Sequence, residues 1–310
     1  MKQIAIAIAL VLGNGGALAA DIVAVYGLAA QNDPTIAAAA ATRDANLEAE
    51  PLARSQLLPF LSLVGDANYN YQDVNKSPSG SFNDNFADTT GGIQVTQPIY
   101  REDLNIQLDQ AEDQVAQADM DYKTAEQDLI VRTVRAYFDV LSAQQTLLFT
   151  NADVKAIARQ LEQAKQRFEV GLIANTDVNE AQARYDGARA DAIVAQNDVD
   201  DAVEALLTIT GEPTGPLADL KPTVPLKPPE PASLDEWTAI ALEKNPSIIS
   251  AKYDADIAKK EIERQDAGDS PALDLVGSYA LSRSDADAGI NSNNGIIGVQ
   301  LSLPLYTGGG

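Results

Sequence analysis

The feature that most constrains this chain is a change of period. After Tyr100 the apolar residues stop recurring at every second position and begin to recur at heptad spacing. Ala111, Val115, Ala118, Tyr122, Ala125 and Leu129 step by four and three in turn. The seam then shifts by one residue to Ile130, Val134, Tyr137, Leu141, Gln144 and Leu148, and resumes through Leu147, Thr150, Val154, Ile157, Leu161, Ala164 and Phe168. Beyond Gly171, the positions Val178, Ala181, Tyr185, Ala188, Ala192, Ala195, Val199, Ala202, Leu206 and Ile209 hold the spacing unbroken. Sustained a/d patterning predicts coiled-coil packing, here a helical hairpin over 102–210. A first helix of about 60 residues would be roughly 90 Å long at 1.5 Å per residue, and no compact domain hides such a rod. Alanine dominates the second seam, so the neighbouring backbones must approach closely. Gly171 suits the left-handed residue that ends a helix. Thr176 or Asp177 can cap the next one, with Asp177 and Glu180 in a capping spacing. A well-capped hairpin accounts for these residues without further function.

Before Tyr100 the pattern is that of strands. Leu61, Leu63, Gly65, Ala67, Tyr69 and Tyr71 lie on one face, against Ser62, Asp66, Asn68, Asn70 and Gln72, with Val64 the exception. Strands are expected at 60–72, 86–99, 272–282 and 296–305. Alternation over about ten residues fits a transmembrane barrel, apolar outside and polar inside. It fits half of a soluble sandwich equally well. Four strands cannot close a barrel, because the smallest needs about eight, so the barrel reading demands several chains. Tyr100 and Tyr306 suit a membrane–water interface or ordinary packing.

The strands belong to an internal duplication. Pro59 to Gly65 (PFLSLVG) matches Pro271 to Gly277 (PALDLVG) 212 residues later, and Asn32-Asp33-Pro34 resembles Lys244-Asn245-Pro246 at the same offset. Thr96 to Tyr100 then matches Ser302 to Tyr306 at an offset of 206. The first unit runs over 21–211 and the second over 233–310, ending after its strands. The period leads us to expect a further stretch of at least about a hundred residues in the natural protein. Between the units, 212–232 is a linker; Pro213 to Pro231 holds seven of the 15 prolines, which excludes regular helix or central strand there. At the other end, Lys2, the apolar run Ile4 to Leu12 and Ala17-Leu18-Ala19 form a secretory signal peptide over 1–20.

Composition narrows the chemistry. There is no Cys and no His, which removes disulfides, thiolate nucleophiles and imidazole acid–base catalysis. The net charge of −23 makes nucleic acid a poor partner. It serves solubility, or a cation-attracting surface or lumen. No cofactor or metal is implied, and an enzyme is the weakest reading, with only carboxylate, Lys, Tyr and Ser groups to draw on. No stretch reaches 18 consecutive apolar residues, so a membrane span would have to be a β-barrel.

Taken together, the chain resembles the TolC family of outer-membrane exit ducts. The most specific matches are Gln166-Arg167-Phe168-Glu169-Val170-Gly171-Leu172 with Thr176-Asp177, then Ala136-Tyr137-Phe138, Thr208-Ile209-Thr210-Gly211, and the ends Pro98 to Tyr100 and Pro304 to Tyr306. The resemblance implies a mainly α fold with a β-barrel contribution. Three identical chains would each give four strands to a 12-stranded barrel in the outer membrane and a long hairpin to an α-barrel in the periplasm. Pro98 and Pro304 would sit where strand turns into helix, and the linker would lie in an equatorial belt. Val170, Gly171 and Leu172 would form the tip that meets a periplasmic adaptor protein, itself joined to an inner-membrane pump. Gln160, Thr176 and Asp177 would belong to a periplasmic gate whose partners come from the second unit's hairpin. The implied function is export of small molecules or proteins. A diffusion porin and a coiled-coil surface stalk are the alternatives; the heptads count against the first and the duplicated strands against the second.

Overall fold

The computed structural model describes residues 19–74, 82–220, 228–285 and 291–306. The signal-peptide stretch before residue 19, both strand-loop tips and the centre of the linker lie outside the described residues. In chain order the elements are α1 (Ile22–Asn32), α2 (Pro34–Leu47), α3 (Ala49–Ser55), β1 (Phe60–Val74), β2 (Phe82–Tyr100), α4 (Glu102–Glu169), α5 (Asn175–Thr210), α6 (Leu234–Lys244), α7 (Pro246–Asp266), a single 3-10 turn, β3 (Ala272–Ser284) and β4 (Ser292–Ser302). They form two compact units, one of residues 1–40 and 122–232, the other of 41–121 and 233–310. The first unit therefore draws on the first repeat and the linker, and the second draws on both repeats.

The first unit is a helical hairpin clasped by the chain's N-terminal part. On α4 the buried row is Leu129, Thr133, Ala136, Tyr137, Val140 and Leu141. Of the seam expected to shift through Ile130, Tyr137, Leu141 and Leu148, Tyr137 and Leu141 are buried but Ile130 and Leu148 are not. Both are exposed, and the heptad runs on through Thr133, whose side chain is fully buried. A polar residue at a seam position hid the continuity. On α5, Ala188, Ala195, Val199 and Leu206 are buried along the expected seam. Helix α1, which no pattern singled out, seals this core with Val25 and Ala29, both at 0% exposure. Val25 joins Tyr137, Val140 and Leu206, while Ala29 joins Ile36 and Leu129. The start of the linker adds itself edge-on: the Ala20 N–H donates to Pro216 O at 2.9 Å, and the Tyr137 hydroxyl donates to Ala218 O at 2.9 Å.

One buried ion pair fixes α1 and α2 against α4. Asp33 is 2% exposed and caps α2 by accepting the Ile36 N–H at 2.8 Å. Its two oxygens also accept from Arg132, at 3.0 and 3.2 Å, in the bidentate arrangement that makes guanidinium–carboxylate pairs strong.

The second unit is built on the sheet. Its four strands run β1-β2-β3-β4, each antiparallel to the next. The register sets Leu61 beside Val95, Leu63 beside Ile93, Ile93 beside Tyr279 and Leu275 beside Val299, so one face is continuously apolar. That face is open: Leu63, Tyr69, Ile297 and Leu301 are all exposed. The opposite face carries Ser62, Gln94 and Ser278 in one row, and Asn70 donates to Asp88 at 2.7 Å across it. Where β2 and β3 cross, Gly92 is obligatory, since a Cβ there would lie 2.8 Å from Tyr279 O. Strand β4 ends at Ser302, so Pro304 and Tyr306 follow the strand instead of closing it. Beside the sheet, α7 lies on the N-terminal part of α4 through Lys260–Asp113 at 2.8 Å and Ser250–Asp121 at 2.6 Å. Hydrogen bonds from Arg264, Gln265 and Gln110 bring the Glu261 carboxyl down to about 2.

The run expected to be helical from Pro34 to Ser55 is broken at Glu48. Pro51, three residues further on, has no N–H to donate back to Leu47, which closes off a continuous helix. Among the described residues no helix is long and apolar enough to cross a membrane.

Burial works to raise the Asp33 carboxyl, but the Arg132 hydrogen bonds, the Ile36 N–H and the guanidinium charge outweigh it and hold the group below its ordinary value of 3.8. Such a depressed carboxylate contributes stability above pH 3.8 and loses it as the pH falls through the lower folded value. Asn245 occupies the equivalent place in the second repeat and caps α7, so Asn can keep the cap. Asp33→Asn is therefore expected to cost about 2 kcal/mol at pH 7, the worth of a charged hydrogen bond. It should also remove the share of the acid-induced loss of melting temperature that Asp33 contributes as the pH falls below 3.8. Thermal melts in detergent across that range check both.

The helical hairpin as candidate functional site

Helix α4 runs for 68 residues and ends in a turn whose geometry follows from its sequence. Gly171 takes φ +74°, a conformation that costs a residue with a Cβ about 1 kcal/mol or more. The Gly171 N–H donates to Phe168 O at 2.9 Å and the Leu172 N–H to Arg167 O at 2.9 Å. These paired bonds are those of a Schellman motif, which satisfies the last carbonyls of the helix. The turn pushes Val170 (69% exposed) and Leu172 (73% exposed) outward, with Phe168 exposed beside them. Three apolar side chains thus stand on the hairpin end. A Cβ added to Gly171 would meet nothing within 4 Å, so the glycine is required by the backbone and not by space.

The start of α5 differs from the expected capping. Its N-cap is Ala174, which has no side-chain acceptor, and the helix begins at Asn175. Thr176 and Asp177 therefore lie inside the first turn. Asp177 still serves the terminus from within: its Oδ2 accepts the Ala174 N–H at 3.1 Å. Its charge also sits at the positive end of the helix dipole. Glu180 takes no part in the cap; it accepts from Arg184 at 2.6 Å.

A groove of about 240 Å³ runs between the two helices just behind the turn, lined by Ile157, Gln160, Asp177, Glu180, Ala181 and Arg184. Gln160 and Asp177, two of the three expected gate residues, face one another across it, while Thr176 is exposed outside it. Sequence reasoning read Glu180 only as part of a capping spacing and did not single out Arg184. Their offsets of three and seven from Asp177 place them on its helical face, and that signal was available. The groove holds one amide, two carboxylates and one guanidinium. This set can exchange hydrogen bonds and ion pairs with a neighbouring helix, but it includes no nucleophile beside a base. At the sheet end, Pro98 pairs in register with Asp274, and a bulge between Pro98 and Tyr100 precedes the start of α4 at Glu102. Arg101 spans that junction, bonding Asp103 at 3.0 Å and standing 3.7 Å from Asp274.

Comparison with known proteins agrees with this architecture. The chain is 38% identical over 298 residues to the outer membrane protein TolC of Vibrio cholerae serotype O1, covering 94% of this chain and 66% of that protein. It is 36% identical over 305 residues to TolC of Escherichia coli K12, covering 94% and 60%. It is 29% identical over 308 residues to the alkaline protease secretion protein AprF of Pseudomonas aeruginosa, covering 97% and 64%. The chain thus spans less than two thirds of the length of these relatives. Among solved structures, a membrane protein from Pseudomonas aeruginosa superposes with a TM-score of 0.76 at 19% identity, covering 93% of this chain and 67% of that one. The Campylobacter jejuni CmeC outer membrane channel does so with a TM-score of 0.74 at 18% identity, covering 93% and 62%. Both establish a shared fold. The family described as outer membrane efflux protein matches residues 25–212 and 237–310, and on that breadth of agreement the chain belongs to the outer membrane efflux protein family.

Proposed function

We propose that the protein is a passive export duct of the outer membrane, extending into the periplasm and built from three copies of the chain. The observation that carries this reading is the open four-stranded sheet. Strands β1 and β4 each pair on one side only, and the apolar face is bare. In lipid, unpaired strand edges have no water to satisfy them. Edge pairing between copies closes the wall, and three copies give 12 strands. The same chain carries a 68-residue helix, which a diffusion porin does not need. The relative named for alkaline protease secretion and the family described as outer membrane efflux protein support both proteins and small molecules as cargo. The duct performs no catalysis of its own. In this reading Val170, Gly171 and Leu172 meet a periplasmic adaptor that links the duct to an inner-membrane pump. Pro98 and Pro304 mark the strand-to-helix turns, and Gln160, Thr176 and Asp177 belong to a gate.

Three measurements follow. Light scattering of the protein expressed from its own gene and purified in detergent should give a trimer; a stable monomer would overturn the duct. Gly171→Leu should leave trimer yield nearly unchanged and weaken export, whereas Gly171→Asn, a residue that tolerates the left-handed region, should retain more of it. Export unaffected by Gly171→Leu would remove the tip from the docking surface. Finally, Thr176→Val combined with Asp177→Ala separates a gate from a helix terminus. As a terminus alone, Asp177 is worth about 1 kcal/mol and its loss should lower the melting temperature without touching conductance. As a gate residue, its loss should raise single-channel conductance in planar bilayers with melting lowered only slightly, which is the outcome expected.

A further inference from the structure

The four strands carry a single cationic side chain, Arg283, near the loop end of β3. It shares a row with Thr89 and Ala67 and belongs to the same alternate series as Tyr279 and Leu281, so it lies on the apolar face. On the proposed reading of that face as the outside of a barrel wall, this is a lipid-facing arginine. Its height explains how it is tolerated. Leu273 to Arg283 is ten residues along β3. At about 3.3 Å per residue and a tilt of about 40°, this projects to roughly 25 Å, the height of the apolar band. Arg283 therefore stands at the outer margin of that band, the end away from the helices. There an arginine is tolerated far better than at the midplane.

The guanidinium is held there. Its Nη1 donates to Ser282 O at 2.9 Å, to Asn293 Oδ1 at 3.1 Å and to Ser292 O at 3.4 Å. One nitrogen is thus spent on the protein; the residue is exposed, and among the described residues Nε and Nη2 form no hydrogen bond. Among the described residues no carboxylate forms an ion pair with it. Tyr69 and Tyr71, both exposed, follow Ala67 of the same row on the same face of β1. Amphipathic rings of this kind favour the headgroup level.

We infer that Arg283 is a binding site for the phosphate of an outer-leaflet lipid headgroup. The chemistry is charge-assisted: two parallel N–H donors on the free edge match two phosphate oxygens. The chain's net charge of −23 otherwise repels anionic headgroups, so one oriented cation per copy gives the rim a discrete attachment point.

The test uses the protein purified in detergent from membranes and native mass spectrometry. Phosphatidic acid is compared with an uncharged diacylglycerol of the same chains. The wild type should retain phosphatidic acid preferentially. Arg283→Gln should lower that retention about tenfold, the loss of a charged hydrogen-bonded contact, without changing diacylglycerol retention. Arg283→Lys should fall between them, and it also serves if the Gln variant is not recovered. Excess inorganic phosphate should not displace the lipid; displacement would assign the site to free phosphate. Unchanged phosphatidic acid retention in both variants would overturn the site. A chain recovered as a soluble monomer would instead overturn the barrel reading on which the site rests.

Discussion

Every backbone N–H and C=O in a sheet must find a partner, and here two rows of them do not. Strand β1 has β2 on one side and β4 has β3, but among the described residues nothing pairs with the outer edge of either. In water such edges would be hydrated or blunted by charge. Beside an exposed surface of Leu61, Leu63, Ile297 and Leu301 they can be neither. The apolar face calls for lipid, and lipid forbids open edges. On the proposed reading, membrane insertion and association of copies are one requirement, imposed jointly by hydropathy and hydrogen bonding. The proposed duct is the simplest arrangement that satisfies both.

Much of this architecture was legible in the sequence because it rests on periods. Alternation at Leu61, Leu63 and Tyr69 set the faces of β1, and register carried the same faces across to β4. The alanines of α5 marked its buried seam. What escaped detection did not rest on a period. Thr133 interrupted the apolar row of α4 without interrupting the packing. Pro51 split α2 from α3 from inside an otherwise helical run. Helix α1 is short, and its burial depends on meeting Tyr137 and Leu129, more than a hundred residues away, which no local pattern encodes. At the hairpin, Gly171 was readable because positive φ has few tolerant residues. The service of Asp177 from the third helical position was not, since acidic residues suit the whole first turn.

The duplication shows the same distinction. Asp21 and Ser233 cap α1 and α6 in the same way, and Asp33 and Asn245 cap α2 and α7. Backbone chemistry at the helix starts is thus common to both repeats. The ion pair of Asp33 with Arg132 adds an electrostatic bond to the first copy alone. The copies share a scaffold and differ in what fastens it.

The alanine seam of α5 has a consequence for how this helix tolerates change. Ala188 and Ala195 are buried along α5, yet each contributes only a methyl group to what covers it. Removing so little costs little, and the hairpin's cohesion is spread over many small increments. Enlarging one of these positions is another matter, because a methyl already covered on all sides leaves little room for extra methylenes and its neighbours must part or distort. The helix is therefore robust to erosion and intolerant of growth. Over time such a surface drifts in its exposed residues while the volume of its inner row stays nearly constant.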